Sequence, residues 1–410
     1  MVKRYAIGDV LEIKHGFAFS GEHIVTSDNG VVLVTPGNFR IGGGFQENKC
    51  KFYSGDYPAE YVLPAGTHIV TMTDLSKEID TLGYSAIVPA SERTYLHNQR
   101  IGRIVYKNNC IYPLYMHYLM RTRDYQRFVA NSSSGATVHH TSPDKICKYE
   151  FTAPSRARQE EIADFLHAYD ALIENNRRQI KLLEEAAQRL YKEWFVDLRF
   201  PGNEQTPITN GVPQGWRPVL VRDACSVLKR GISPMYDERA NLTVLNQKCI
   251  RTSIVSLEEA RQQRKAYPAE LNVQDADTLI CSTGTGTLGR VGCVHGELHN
   301  TTIDSHVTLV RADEGVTNKH YLYHFLKSQQ PYLMQSGKGS TNQQELYKDV
   351  IGQLKMLLPG AGLLQSFENL AADFHHEITL LNTSLKLLAE ARDRLLPKLM
   401  SGEIEEQALS

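Results

Sequence analysis

No Cys-x-x-Cys pair occurs anywhere in the 410 residues, and the seven cysteines (Cys50, Cys110, Cys147, Cys225, Cys249, Cys281 and Cys293) are odd in number. Neither a zinc ribbon nor a disulfide framework is expected from such a set, which suits a reducing cytoplasm. The opening residues Met1 to Asp9 lack the apolar stretch of a secretion signal. No run of about 20 apolar residues is present, so no segment is expected to cross a membrane. The formal net charge is −1. Attraction to a polyanion through bulk charge is thereby excluded, and only local basic patches remain for such contacts. No phosphate-binding Gly-x-x-x-x-Gly-Lys loop is found, so ATP hydrolysis is not expected of this chain. Asn-Pro-Pro-aromatic and glycine-rich methyl-donor motifs are missing too, so methyl transfer is not expected either.

What the chain does contain is a repeat. Leu82-Gly83-Tyr84-Ser85-Ala86-Ile87-Val88 resembles Leu288-Gly289-Arg290-Val291-Gly292-Cys293-Val294, 206 residues later, and Gly135-Ala136-Thr137 resembles Gly339-Ser340-Thr341, 204 later. A period near 205 is half the chain, too long for a solenoid. Each half is long enough to bury a core of its own.

Two heptad seams repeat at the same interval. The first runs Ile162, Leu166, Tyr169, Ile173, Asn176, Ile180, Leu183, Ala187, Leu190 and Trp194. Adding 205 gives Phe367, Ala371, Phe374, Ile378, Leu381, Leu385, Leu388, Arg392, Leu395 and Leu399. Steps alternating between 4 and 3 are those of helices that pack on each other, and each seam is ~50 Å long at ~1.5 Å per residue. Copies of one unit usually relate by a pseudo-twofold axis, which would run the helices antiparallel with facing pairs summing to 561. Tyr169 then faces Arg392, a ring under a guanidinium, and Asn176 faces Leu385.

The remaining residues read as short strands, among them Gly30 to Thr35, His68 to Met72, Ile101 to Tyr106, Thr278 to Cys281 and Ser305 to Val310. Helices are expected near 112–130 and 319–336. Basic residues cluster from Arg93 to Arg127 and from Lys229 to Lys265, where they can hold phosphates and read guanine edges. His139-His140 and Asn342-Gln343-Gln344 fall at matching places in the two copies, and Asn and Gln suit adenine edges. Gly284-x-Gly286-x-x-Gly289 has the spacing of a dinucleotide loop, but a strand-like segment follows it where a helix is required. Cys293, His295 and His299 have no common metal-site spacing, so no metal is expected. His375-His376 is expected on a helix, exposed or packed.

Several segments together resemble the specificity subunits of type I restriction–modification systems. Val212-Pro213-Gln214-Gly215-Trp216 is similar to the family's Pro-x-Gly-Trp entry to a recognition domain. The stretch Ser282 to Arg290 resembles its threonine–glycine loop, and Gly339 to Gln344 followed by Leu357-Leu358-Pro359 resembles its passage into a conserved helix. Arg394 to Ile404 is similar to the family's C-terminal ending. Gly16-Phe17-Ala18-Phe19-Ser20 and Gln159-Glu160-Glu161-Ile162 carry the likeness in the first half, which lacks the Pro-x-Gly-Trp entry and most glycines of the loop.

The resemblance implies an α+β chain: two mixed α/β target recognition domains separated by a two-helix antiparallel coiled coil, with a pseudo-twofold internal repeat. The expected bounds are 1–157 for the first domain, 158–200 for the central helix, 201–212 for a linker, 213–361 for the second domain and 362–402 for the C-terminal helix. Each domain would read half of a split, asymmetric site in double-stranded DNA, with the helices as spacer. Two methyltransferase subunits and the restriction subunits are the implied partners, with S-adenosylmethionine, ATP and Mg on those partners and no cofactor on this chain. The expected DNA contacts are Lys14, Lys77, Arg93, Arg100, Arg103, His139 and His140 in the first half. In the second they are Lys229, Arg230, Lys248, Arg251, Arg264, Thr285, Arg290, Lys338, Gln343 and Gln344. The alternative is a coiled-coil scaffold without DNA readout.

Overall fold

The computed structural model describes residues 2–74, 79–135, 138–284, 286–339 and 344–404. The chain divides into two compact units: unit 1 is Met1–Ile173 with Leu387–Ser410, and unit 2 is Glu174–Lys386. The divisions fall inside the two long helices rather than at their ends.

In unit 1, strands β1 (Leu11–His15), β2 (His68–Thr71), β3 (Ser85–Ile87) and β4 (Ile101–Tyr106) form an antiparallel sheet in the order β1-β4-β2-β3. In unit 2, β5 (Cys225–Arg230), β6 (Thr278–Cys281), β7 (Val291–Cys293) and β8 (Val307–Ala312) repeat that arrangement as β5-β8-β6-β7. A second sheet is repeated as well. Val31–Val34 runs parallel to Thr94–His97 in unit 1, and Leu242–Leu245 runs parallel to Thr301–Ile303 in unit 2.

The glycine that ends the first strand of each sheet has a packing reason. A Cβ on Gly16 would stand 2.3 Å from the carbonyl oxygens of His97 and Asn98. One on Gly231 would stand 2.1 and 2.4 Å from those of Ile303 and Asp304. Only a residue without a side chain lets the backbones approach this closely. Phe17 and Ile232, the next residues, form parallel bridges to Asn98 and Asp304.

Helix α1 (Pro113–Leu119) covers unit 1 with its buried Tyr115 and Tyr118, and α3 (Lys319–Ser328) covers unit 2 with Tyr321 and Leu326. Each expected single helix here is broken in two: Arg123–Ser132 follows α1, and Gln330–Gln335 follows α3. The long helices are α2 (Arg156–Tyr191) and α4 (Ala361–Ser401). Beyond α2 and the turn that follows it, a short antiparallel pairing joins Ile208–Thr209 of the expected linker to Val212–Pro213 at the entry to the second domain.

None of the twenty seam residues is exposed. In unit 1, Ile162, Ala163 and Leu166 of α2 share a core with Leu396 and Leu399 of α4. In unit 2, Tyr191 near the end of α2 shares one with Phe367 and Ala371 near the start of α4. Low numbers meet high ones in both, so the segments run antiparallel within each unit.

Two facing pairs differ from expectation by one position. Arg392 pairs with Asp170 at 2.6 Å rather than resting on the Tyr169 ring, because a buried guanidinium gains more from a carboxylate than from a quadrupole. Asn176 donates to Ser384 Oγ at 3.1 Å, since its amide needs a polar partner that Leu385 cannot supply. Beyond Tyr191 the helix widens into a π turn, Lys192–Val196, which turns Phe195 into the core and leaves seam residue Trp194 half-buried.

Candidate nucleic-acid interface

One backbone junction occurs in both units just past the second strand of the main sheet. In unit 1 the Met72 N–H donates to Arg100 O at 3.0 Å, and Thr141 N–H donates to Met72 O at 3.0 Å. In unit 2 Ser282 N–H donates to His306 O at 2.7 Å, and Leu346 N–H donates to Ser282 O at 2.8 Å. His139–His140 pairs with Thr73–Asp74 and His140 bridges Ser134. Correspondingly, Glu345 bridges Thr283 and Lys338. The junction gathers Thr73, Arg100, His139 and His140 in one unit, and Thr283, His306, Gln344 and Glu345 in the other. The framework and its threonine, Thr73 or Thr283, are shared, and the other side chains are not.

Side-chain contacts fix these groups. Thr73 Oγ1 lies 3.1 Å from His140 Nδ1, and Thr283 Oγ1 lies 2.6 Å from His306 Nδ1. Asp74 turns inward and accepts from the Thr81 N–H and hydroxyl, both at 2.6 Å. Burial raises the Asp304 carboxyl, against the His306 N–H that stabilises its charge. Burial also pushes the Cys281 thiol up to about 12, so it is an inert neighbour rather than a nucleophile. Segment β7 follows the 284–289 loop as a strand, as its residues suggest. Gly289 is required by packing: a Cβ there would meet the Leu333–Met334 backbone at 2.4 to 2.5 Å.

The structure gathers some of the expected contact residues. Lys14 and Arg103 face each other across β1 and β4. Arg230 is ion-paired with Glu345, which joins it to Lys338 and to exposed Gln344. Lys248 and Arg251 share Glu259, at 4.0 and 2.7 Å. Others sit apart from these groups: Arg93 is held by Asp28 at 2.5 Å and Glu47 at 3.2 Å, Lys229 pairs with Glu270, and Arg264 donates to Met235 Sδ at 3.0 Å. Arg290 is half-buried, its backbone closing the turn into β7. Lys77, Thr285 and Gln343 lie outside the described residues.

Ion pairs as exposed as Lys14–Glu12 or Arg251–Glu259 contribute at most ~1 kcal/mol. A phosphate can therefore take the place of the carboxylate at little cost. His306, Gln247 (3.4 Å from Thr283 Oγ1) and Glu345 were not among the expected contacts. The repeat carried a signal for two of them, since His306 stands 206 residues after Arg100 and Glu345 stands 205 after His140.

Comparison with known proteins agrees with this architecture. Residues 2–185 match the family model described as the type I restriction modification DNA specificity domain. The MjaIX type I restriction enzyme specificity subunit of Methanocaldococcus jannaschii is 26% identical, over 85% of this chain and 80% of its own. The HindI specificity subunit of Haemophilus influenzae is 22% identical, over 72% and 78%. Among solved structures, the type I restriction–modification S subunit from M. genitalium aligns with a TM-score of 0.57 at 14% identity, covering 97% of this chain and 96% of that one.

Proposed function

We propose that this chain is a specificity subunit of a type I restriction–modification system, a non-catalytic, DNA-binding component, as the family-model match over residues 2–185 and the two curated relatives support, and that its two units read two different half-sequences of one split DNA site. The observation that carries the reading is the junction found in both units, identical in backbone pattern and different in its side chains. A constant frame gives both units the same approach to a groove. Arg100, His139 and His140 against His306, Gln344 and Glu345 give them different donors and acceptors for base edges. The nearby cations supply the phosphate contacts that position but do not specify.

The long helices each begin in one unit and end in the other, so their length sets the gap between the half-sites. Their remaining surfaces dock two methyltransferase subunits and the restriction subunits. S-adenosylmethionine, ATP and Mg act on those partners.

The test uses the complex reconstituted with its methyltransferase subunits, with modified sites mapped across a genome. Exchanging His139 and His140 for Gln and Glu, the residues at the same places in unit 2, is expected to change one half-sequence and leave the other intact. Arg230→Ala is expected to weaken binding to all sequences and to reduce the salt slope by about 1. Unchanged half-sequences after the exchange would overturn the assignment of the junction.

A further inference from the structure

On the DNA-binding reading above, we propose that unit 2 carries a second contact to the duplex, apart from the junction: a ribbon whose Arg239, Arg261, Arg264 and Lys265 hold phosphates beyond the bases read at His306 and Glu345. Residues 233–240 and strand Arg261–Gln263 form the ribbon. The Arg264 N–H donates to Met235 O at 2.9 Å, the Asp237 N–H donates to Gln262 O at 3.1 Å, and Tyr236 bridges Gln263. The ribbon is continuous with the junction, because Ile232 bridges Asp304, two residues before His306. From Ile232 to Tyr236 the chain advances four residues, up to ~13 Å at ~3.3 Å each. That distance is some four base pairs at ~3.4 Å, so side chains rooted there address neighbouring phosphates rather than the same base edges.

What sets these four cations apart is the lack of a counter-charge. Lys229, Arg230, Lys248 and Arg251 each meet a carboxylate. Arg239, Arg261, Arg264 and Lys265 are exposed and meet none among the described residues. The Arg261 guanidinium carbon is 3.5 Å from the centroid of the Tyr236 ring, a stack that holds the group without using its N–H donors. Arg264 Nε reaches the Met235 thioether at 3.0 Å, and Lys265 Nζ donates to Ser233 O at 3.1 Å. Buried Gln263 fixes the Lys265 backbone, accepting its N–H at 2.6 Å and donating to its carbonyl at 2.7 Å. The ribbon's two carboxylates, Asp237 and Glu238, are outnumbered, and Asp237 is turned to the Arg239 backbone N–H at 3.1 Å. Cations gathered in this way repel one another, and a row of phosphates removes that repulsion.

The fold itself does not demand the cations. In unit 1, Val32 and Leu33 pair with Phe52 and Lys51, as Thr243 and Val244 pair with Gln262 and Arg261 in unit 2. Ser54 and Gly55 then stand where Arg264 and Lys265 do, and the Ser54 N–H donates to His23 O at 3.0 Å as that of Arg264 does to Met235 O. One cation stands in residues 51–55 of unit 1 and three in residues 261–265 of unit 2.

The experiment uses the complex reconstituted with its methyltransferase subunits. Its affinity for a random duplex, and for one carrying the mapped site, is measured from about 50 to 200 mM salt. Replacing all four cations by Gln is expected to lower the slope of log affinity against log salt by about 3 to 4 on both duplexes. Wild type then loses ~100-fold more affinity over that range than the variant does, and both half-sequences in the methylation map stay the same. Arg239→Gln alone, at a side chain without a hydrogen bond to any described residue, is expected to lower the slope by about 1. An unchanged slope in the fourfold variant, or in Arg239→Gln where the fourfold variant does not fold, overturns the ribbon and leaves the junction's role standing. Lost assembly with the methyltransferase subunits at an unchanged slope also overturns it, and assigns the patch to an acidic protein surface. A wild-type complex with no salt-dependent affinity for either duplex overturns the ribbon and the DNA-binding reading together.

Discussion

Asp170 lies beneath two guanidiniums, Arg121 and Arg392, each with Nη1 at 2.6 Å, and accepts the Tyr118 hydroxyl at 2.8 Å. Arg121 is almost wholly buried, with 2% of its side chain exposed, so the carboxylate is what makes that charge tolerable. Burial alone would raise the Asp170 carboxyl, but the two arginines outweigh it and hold the group well below the usual carboxylate range. Asp170→Asn leaves the buried Arg121 without its counter-charge and Arg392 with Asp393 alone, at 2.7 Å. It is expected to destabilise unit 1 by about 3 kcal/mol, read as a lowered urea midpoint of that unit's transition. A depressed pKa contributes stability above the unfolded value near ~4 and loses it as pH falls through that range. The variant's deficit should therefore shrink toward pH 3, and a deficit that stays constant would refute the ion-pair account.

At the scale of elements, each long helix is shared by both units, and its face is set by a 3–4 spacing that tolerates few interruptions. Where the spacing fails, at the π turn Lys192–Val196, the buried face moves over by one residue, from Trp194 to Phe195. Matched insertions of four residues after Ile173 and after Lys386 add about one helical turn to each helix, ~6 Å in length. If helix length sets the gap, modified-site mapping of the reconstituted complex should return the same two half-sequences with a longer gap. Altered half-sequences with an unchanged gap would refute the spacer role.

For the whole molecule, the shared topology of the two units extends to their response to acid. Burial lowers His68 and His97 of unit 1 to about 4, and His295 and His324 of unit 2 to about 3. Each stays neutral when folded and protonates near ~6.5 when unfolded. The unfolded chain then binds more protons between these values, so stability is full above pH ~6.5 and is lost as pH falls toward 4. The urea midpoints of both units are expected to fall together from pH 7 to pH 5. A flat profile over that interval would contradict the burial of these rings. Among the described residues no helix is long and apolar enough to cross a membrane.

The sequence by itself determined whatever is periodic or repeated. Heptad spacing selected twenty positions, none of them exposed, and the 205-residue interval forecast two units of one plan, because side-chain spacing dictates which face is buried. Strands such as Ile101–Tyr106 and Thr278–Cys281 were legible from their apolar runs. Contacts that depend on side chains distant in sequence were decided only by the tertiary structure. Thr283 meets His306 and Gln247, Arg230 meets Glu345, and Asp170 takes Arg392 from the ring expected to hold it. His375 of α4 meets Asp275, 100 residues earlier, in the same way, since a contact needs atoms a few ångströms apart and local spacing cannot show which distant segment supplies the partner.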